Sequence, residues 1–325
     1  MKLTLLIGGG LVLVLIASEL LLRWLFGFGT PPLYLADAEI GYLLAPNQRI
    51  RRFGNRIEIN RYAMRGPEIA AKRSPQGLRV LLIGDSIANG GWWTDQPEIL
   101  SLQIQAQLAT MVWATVPDPI EVLNASANSW GPRNELAYLR KFGLFEAQAV
   151  VLLINTDDLF ATAPTALPVG RTRNYPDRAP ALAWLEVLNR FRKDKPFPEL
   201  EAVQAEGGDR VGANLEAIQQ IHEQVAASEG QLILAMTPLL REVTPPGPRD
   251  YELVARDRLT QFAVAQGIPY IDFLEPFQNS PDSSGLYRDH IHLSPAGNRQ
   301  VAAALTQTLY PLLKSTMESG PRDQG

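Results

Sequence analysis

The sequence contains no cysteine. That excludes disulfides, thiolate zinc sites, iron–sulfur clusters and a Cys nucleophile. Only three histidines are present, His222, His290 and His292, which leaves little room for a multi-histidine metal site. No metal or cofactor is expected. Net charge is small too: 30 Lys+Arg against 34 Asp+Glu gives −4 and a pI near 5.6. Such a balance exerts no general attraction on polyanions, so no nucleic-acid partner is expected. Internal repeats and low-complexity tracts are missing as well. What remains is a chain of 325 residues, 46% hydrophobic and 20% charged, with the composition of a folded protein and not of a disordered one. The length suits one large α/β domain or two ordinary ones.

Charge is also missing from Leu3 to Ser18, a run mostly of Leu, Ile, Val and Gly. Alone this run is short for a span of about 20 residues. Counted through Phe26 it is long enough, with Glu19 and Arg23 one turn apart and able to pair. Trp24 and Phe26 suit an interfacial belt. Lys2 is the only positive charge ahead of the run, which favours an inside N-terminus and a body outside the cytoplasm, periplasmic or at the cell surface. Residues 1–26 therefore read as a membrane anchor. A cleaved signal segment and a buried soluble helix are the alternatives; the nearest approach to a cleavage site is Ile16-Ala17-Ser18.

Gly27-Phe28-Gly29-Thr30-Pro31-Pro32 breaks the helix. Residues 27–76 read as a linker and irregular, extended arm. The arm carries a basic cluster, Arg49, Arg51, Arg52, Arg56, Arg61 and Arg65, taken as solvated or as a polyanion or headgroup contact. Strand and helix patterns then alternate over 77–315. Apolar runs mark five buried strands: Val80–Ile83, Glu121–Asn124, Ala149–Ile154, Leu232–Ala235 and Ile268–Asp272. Helices are expected around 97–113, from 133, at 213–228, at 250–266 and from Pro295 to Leu313. Residues 160–210, rich in Pro, Arg and Ala, read as an insertion with one helix near 182–193. The tail 316–325 is expected to be disordered. This alternation predicts a three-layer, flavodoxin-like α/β domain with a parallel sheet, whose site lies beyond the carboxyl ends of the strands.

Two segments at those ends carry chemistry. The first strand ends in Gly84-Asp85-Ser86. A Ser placed there is exposed at the sheet edge, and backbone N–H groups of the following turn point toward an anion. An ordinary helix cap explains Ser86 and Asp85 equally well when they are taken alone. Asp289-His290-Ile291-His292 follows the fifth strand. A nucleophilic Ser needs an imidazole to take its proton and a carboxylate to orient that imidazole. The Asp-x-x-His spacing lets Asp289 reach the ring of His292, and His290 points elsewhere.

Taken together, in this order, these residues resemble the SGNH/GDSL hydrolase family. Gly84-Asp85-Ser86 matches its first block and Asp289-x-x-His292 its last. The resemblance spans about 78–313 and implies Ser86 as nucleophile, His292 as general base and Asp289 as its orienting carboxylate. Gly90, Trp92 and Thr94, and upstream Gly41-Tyr42, Pro46-Asn47, Ile59-Asn60 and Met64-Arg65-Gly66-Pro67-Glu68, look like membrane-anchored bacterial members.

Two blocks depart from the family pattern. The second normally presents a Gly whose N–H donates to the oxyanion; here Ser129 aligns with it, with Gly131 as the alternative. A Ser pays a conformational penalty if the position requires positive φ. The third block, normally Gly-x-Asn-Asp, reads Asn155-Thr156-Asp157-Asp158, so Asp157 falls where the family's oxyanion Asn would be. An ionised carboxylate donates no hydrogen bond and repels an oxyanion. Either Asn155 supplies the amide from a shifted position, or Asp157 is protonated by burial, or this donor is missing. Trp92, Trp93 and Trp130 are candidates for a sugar-stacking wall, and Arg133 and Arg140 for an anionic group on the substrate, against plain packing and solvated charge. Asp272 reads as a strand-end cap.

The expected function is hydrolysis of an acyl ester, acetyl among the options, on a glycan or lipid, with the membrane as a second partner. Two rivals remain: an O-acyltransferase using the same triad on an extracytoplasmic polysaccharide, and a non-catalytic glycan-binding protein that kept the fold.

Overall fold

The computed structural model describes residues 2–192 and 197–319. The apolar run at the N-terminus forms α1, Lys2–Leu21, which continues as a wider turn over Leu22–Phe26. No residue of α1 is buried, and with its extension the helix is long and apolar enough to cross a membrane. It ends at Gly27, which adopts φ 70° and returns its N–H to the Arg23 carbonyl at 2.9 Å. A Cβ there would lie 1.8 Å from the Arg51 carbonyl oxygen, so only glycine permits this close passage.

Residues 27–76 differ from the irregular arm expected. They form two antiparallel hairpins, β1 (Tyr34–Asp37) with β2 (Gly41–Leu44), and β3 (Gln48–Arg52) with β4 (Asn55–Ile59). Tyr34, Ile40, Tyr42, Leu44, Ile57 and Met64 are buried in the main core. Hydrogen bonds fasten this layer: Tyr42 Oη donates to the Asn128 carbonyl at 2.7 Å, and Tyr138 Oη to the Tyr62 carbonyl at 2.7 Å. The arm is thus a constituent of the core and not an appendage.

Its basic cluster is mostly spoken for. Arg65 is fully buried and donates to the carbonyls of Asn89, Gly91 and Thr94. Arg52 is buried against Glu186 and the Gly27 carbonyl. Arg56 pairs with Asp95 and Arg61 with Glu68. Arg49 and Arg51 face outward.

The remaining chain alternates as the runs predict. In order come β5 (Leu78–Gly84), α2 (Ser86–Asn89), α3 (Leu100–Ala109), β6 (Ile120–Ser126), α4 (Pro132–Phe142) and β7 (Ala149–Asn155). The insertion holds α5 (Ala183–Arg190) and α6 (Pro198–Gln204), two helices where one was expected. Then follow α7 (Arg210–Ala227), β8 (Gln231–Thr237), α8 (Leu240–Val243), α9 (Asp250–Gln266), β9 (Tyr270–Asp272), α10 (Leu274–Gln278) and α11 (Pro295–Ser319). The last helix runs past Ser315, where disorder was expected; the rest of that tail lies outside the described residues.

The five long-range strands pair all-parallel in the order β6-β5-β7-β8-β9. Their side chains alternate between two cores. Leu81, Ile83, Leu152 and Leu234 join α4, α7, α9 and the hairpins; Val80, Leu82, Val151 and Ile233 join α3 and α11. Both faces are covered, which is why the strands read as continuous apolar runs. Chain order reverses between β5 and β7, so the carboxyl ends of those two strands flank the topological switch point.

Candidate active site

β5 ends at Gly84, where a Cβ would lie 2.3 Å from the Leu153 carbonyl of β7. The chain therefore turns tightly into α2. Asp85 caps that helix by accepting from the Ile87 N–H at 2.8 Å, and Ser86 is its first residue. Ser86 Oγ lies 2.9 Å from His292 Nε2, across 206 residues of sequence. It lies 3.3 Å from Asp85 Oδ2, the weaker contact. His292 Nδ1 is 2.9 and 3.0 Å from the two oxygens of Asp289. A carboxylate accepts only, so this contact places the ring proton on Nδ1 and leaves Nε2 to accept from Ser86. Asp289 also receives the backbone N–H groups of Ile291 at 3.1 Å and His292 at 2.9 Å. Partial burial pushes its carboxyl up, but these N–H groups and the ring outweigh burial and hold its pKa below the usual value. The carboxylate stays ionised and locks the ring.

β6 pairs with β5 up to Ser126 opposite Gly84, so the loop after β6 enters the same rim. Ser129 there has φ 57°, the left-handed conformation that penalises a residue with a Cβ. Its N–H has no protein acceptor among the described residues. The Gly131 N–H, by contrast, donates to Asn134 Oδ1 at 3.1 Å. The Ser86 N–H sits in the first turn of α2, where no intrahelical acceptor exists.

β7 delivers Asn155, whose side chain accepts from the Asp157 N–H at 2.7 Å. Its amide nitrogen donates to Asp85 Oδ2 at 2.8 Å and Asp158 Oδ2 at 2.9 Å. Both amide hydrogens are engaged, so in this arrangement Asn155 offers nothing to an oxyanion. Burial pushes the Asp158 carboxyl well up, and the proximity of Asp85 and Glu135 adds to it. Burial also raises Asp85, against the Ile87 N–H and the nearby His292. Asp157 is exposed at the surface, yet desolvation by its surroundings raises it, with Arg241 opposing and Glu242 reinforcing.

A family model described as the GDSL-like Lipase/Acylhydrolase family matches residues 82–300. The chain belongs to that family. Similar solved structures include the acetyl xylan esterase AlAXEase, 14% identical over 71% of this chain and 100% of that one, with a TM-score of 0.48. A lipase/acylhydrolase from Enterococcus faecalis is 16% identical over 72% of this chain and 96% of that one, TM-score 0.45. A catalytic mutant of Axe2, an acetylxylan esterase from Geobacillus stearothermophilus, is 14% identical over 71% and 93%, TM-score 0.46. No curated protein matches the sequence.

In this family member several expected substrate residues lie elsewhere. Trp130 is 1% exposed and donates its Nε1–H to the Tyr42 carbonyl at 2.8 Å, so it is a core residue and cannot stack on a sugar. Arg133 forks onto Glu206 at 2.8 Å and donates to the Ala161 carbonyl, and its Nε is buried, so its guanidinium is committed within the fold. Arg140 donates to Gln220. Asp272, the last residue of β9, accepts from the Leu274 N–H at 2.9 Å and pairs with Arg256. Trp92 and Trp93, grouped with Trp130 in the sequence, do border the site. The Trp93 ring lies 4.4 Å from the His292 ring, and Arg288 sits over Trp93 at 4.9 Å and Trp92 at 5.2 Å.

One group beside the site was missed. Glu135 on α4 is fully buried, and neither of its oxygens has a hydrogen-bond partner among the described residues. A glutamate in the first turn of a helix reads as a surface dipole partner, and nothing local to its sequence signals burial.

Proposed function

We propose that this member of the family is a membrane-anchored serine esterase, its body outside the cytoplasm, acting on an acyl ester of a glycan or lipid. The observation that supports it is the unbroken contact chain Ser86 Oγ–His292 Nε2 at 2.9 Å and His292 Nδ1–Asp289 at 2.9 Å. Ser86 Oγ attacks the ester carbonyl while His292 takes its proton; the imidazolium then protonates the departing alcohol oxygen. Water attacks the Ser86 acyl-enzyme by the same route in reverse, giving the carboxylic acid and free Ser86. Asp289 stays ionised throughout and steadies the imidazolium.

The oxyanion is received by the N–H groups of Ser86 and Ser129. One such donor is worth about 10²–10³ in kcat, so two backbone donors sustain catalysis without the family's side-chain amide. Asp157 takes no part in this scheme.

The test uses the full chain in detergent with a fluorophosphonate probe and p-nitrophenyl acetate. Wild type should be labelled and turn over; Ser86→Ala should do neither. Asp157→Asn should keep wild-type turnover or exceed it. An unlabelled, folded wild type would refute the esterase reading, and a collapse in Asp157→Asn would give that carboxylate a role.

A further inference from the structure

Soluble amphipathic helices turn their apolar face inward and their charge outward. α5 does the reverse. Its Glu186 faces the body, accepting from the Gly29 N–H at 2.7 Å and pairing with buried Arg52. Its leucines face out: Leu182 is 49% exposed, Leu185 44%, Leu188 56%, and Phe191 just beyond is 84% exposed. An apolar patch of this kind on a folded protein marks an interaction surface.

The hydrogen bonds of α1 say which surface. Glu19 of that helix caps α5 by accepting the N–H groups of Ala183 at 2.8 Å and Trp184 at 3.2 Å. Arg23 donates to the Ala181 carbonyl at 3.0 Å, and Trp184 Nε1–H to Ser18 Oγ at 3.0 Å. A helix rising 1.5 Å per residue crosses a hydrocarbon core of about 30 Å in about 20 residues. Counted from Lys2, that brings the chain to the segment that grips α5. Trp24, 72% exposed, stands beside it. Exposed Arg190 and Arg192 close this segment, Arg190 over the Phe28 ring at 4.8 Å, and basic side chains there suit anionic headgroups.

We propose that α5 is an interfacial helix. Its Leu182–Phe191 face, with Trp24, lies in the headgroup–acyl boundary of the bilayer that α1 crosses, and so seats the body on the membrane. A chain of rings joins that seat to the site: Phe26 to Phe53 at 5.8 Å, Phe53 to Trp92 at 4.9 Å, Trp92 to Trp93 at 5.8 Å, and Trp93 to His292 at 4.4 Å. On this seating the site lies on the bilayer side of the body, joined to the seat by that path. Given the esterase reading of Ser86, on which this consequence rests, the substrate is an ester carried by an amphiphile held in the same bilayer.

The chain has no native cysteine, so one introduced cysteine takes one spin label. Full-length Leu188→Cys, labelled and reconstituted into phosphatidylethanolamine–phosphatidylglycerol vesicles, is compared with Val264→Cys, a position 78% exposed on α9. Relaxation by oxygen relative to a nickel chelate should be several-fold higher at 188 than at 264. Equal ratios would overturn the seating, and Leu185→Cys repeats the reading should Leu188→Cys misfold. The Ser86→Ala background should give the same depth, so loss of the esterase reading and loss of the seating are separate results. For the substrate, wild type should have higher kcat/KM on vesicle-embedded p-nitrophenyl palmitate than on p-nitrophenyl acetate. The opposite order would overturn the amphiphile assignment.

Discussion

At the scale of single residues, a buried acidic cluster lies behind Ser86. Asp85 and Asp158 share the amide of Asn155, while Glu135 has no partner for either oxygen among the described residues. Burial pushes the Glu135 carboxyl well above its usual 4.5, and Asp85 adds to the shift, which favours its neutral form. The folded state then binds a proton that the unfolded chain releases above about pH 4.5, and stability falls as pH rises through that window. Glu135→Gln keeps the shape and removes the titration. Its melting temperature should exceed that of wild type at pH 8 and match it near pH 4. A variant less stable than wild type at pH 8 would mean that Glu135 is not held neutral there.

At the scale of elements, Arg65 ties the second hairpin to the loop after α2. Its guanidinium satisfies three carbonyls, at Asn89, Gly91 and Thr94, inside the core. That loop carries Trp92 and Trp93, and the Trp93 ring lies against His292. Arg65→Met leaves three buried acceptors without donors, each costing about 1–3 kcal/mol, so a loss of at least about 3 kcal/mol is expected. A shift of the urea midpoint at constant slope measures it. In the sequence Arg65 was one of six arginines in a basic cluster. Partners that are backbone carbonyls of a distant loop leave no mark in the pattern around the residue itself. The hairpins were illegible for a related reason. β3 reads Gln48-Arg49-Ile50-Arg51-Arg52, with a single apolar residue to show its alternation, and its burial comes from packing on other segments.

At the scale of the whole molecule, hairpins, sheet and both helical layers share one continuous construction. Trp130 illustrates it: the residue follows β6, yet its indole N–H is satisfied by Tyr42 of β2, so arm and sheet cannot separate without stranding a buried donor. Body unfolding in urea, followed by tryptophan fluorescence and by far-UV circular dichroism, should give one coincident transition. Two transitions would show that residues 27–76 melt independently.

The strands were legible from sequence because a sheet covered on both faces demands uninterrupted apolar runs, as in Val80–Ile83 and Ala149–Ile154. Asp289 and His292 were legible because their contact spans a single turn. The Ser86 partner lies 206 residues away and was reachable only through the order of the family's blocks. Tertiary structure alone decided which polar groups were free. It engaged the Asn155 amide between two buried carboxylates, left the Ser129 N–H without an acceptor among the described residues, and buried Trp130 while leaving Trp93 against the histidine. Sequence spacing assigns residues to strand ends. Whether a donor there faces a substrate or another side chain depends on packing between segments far apart in the chain.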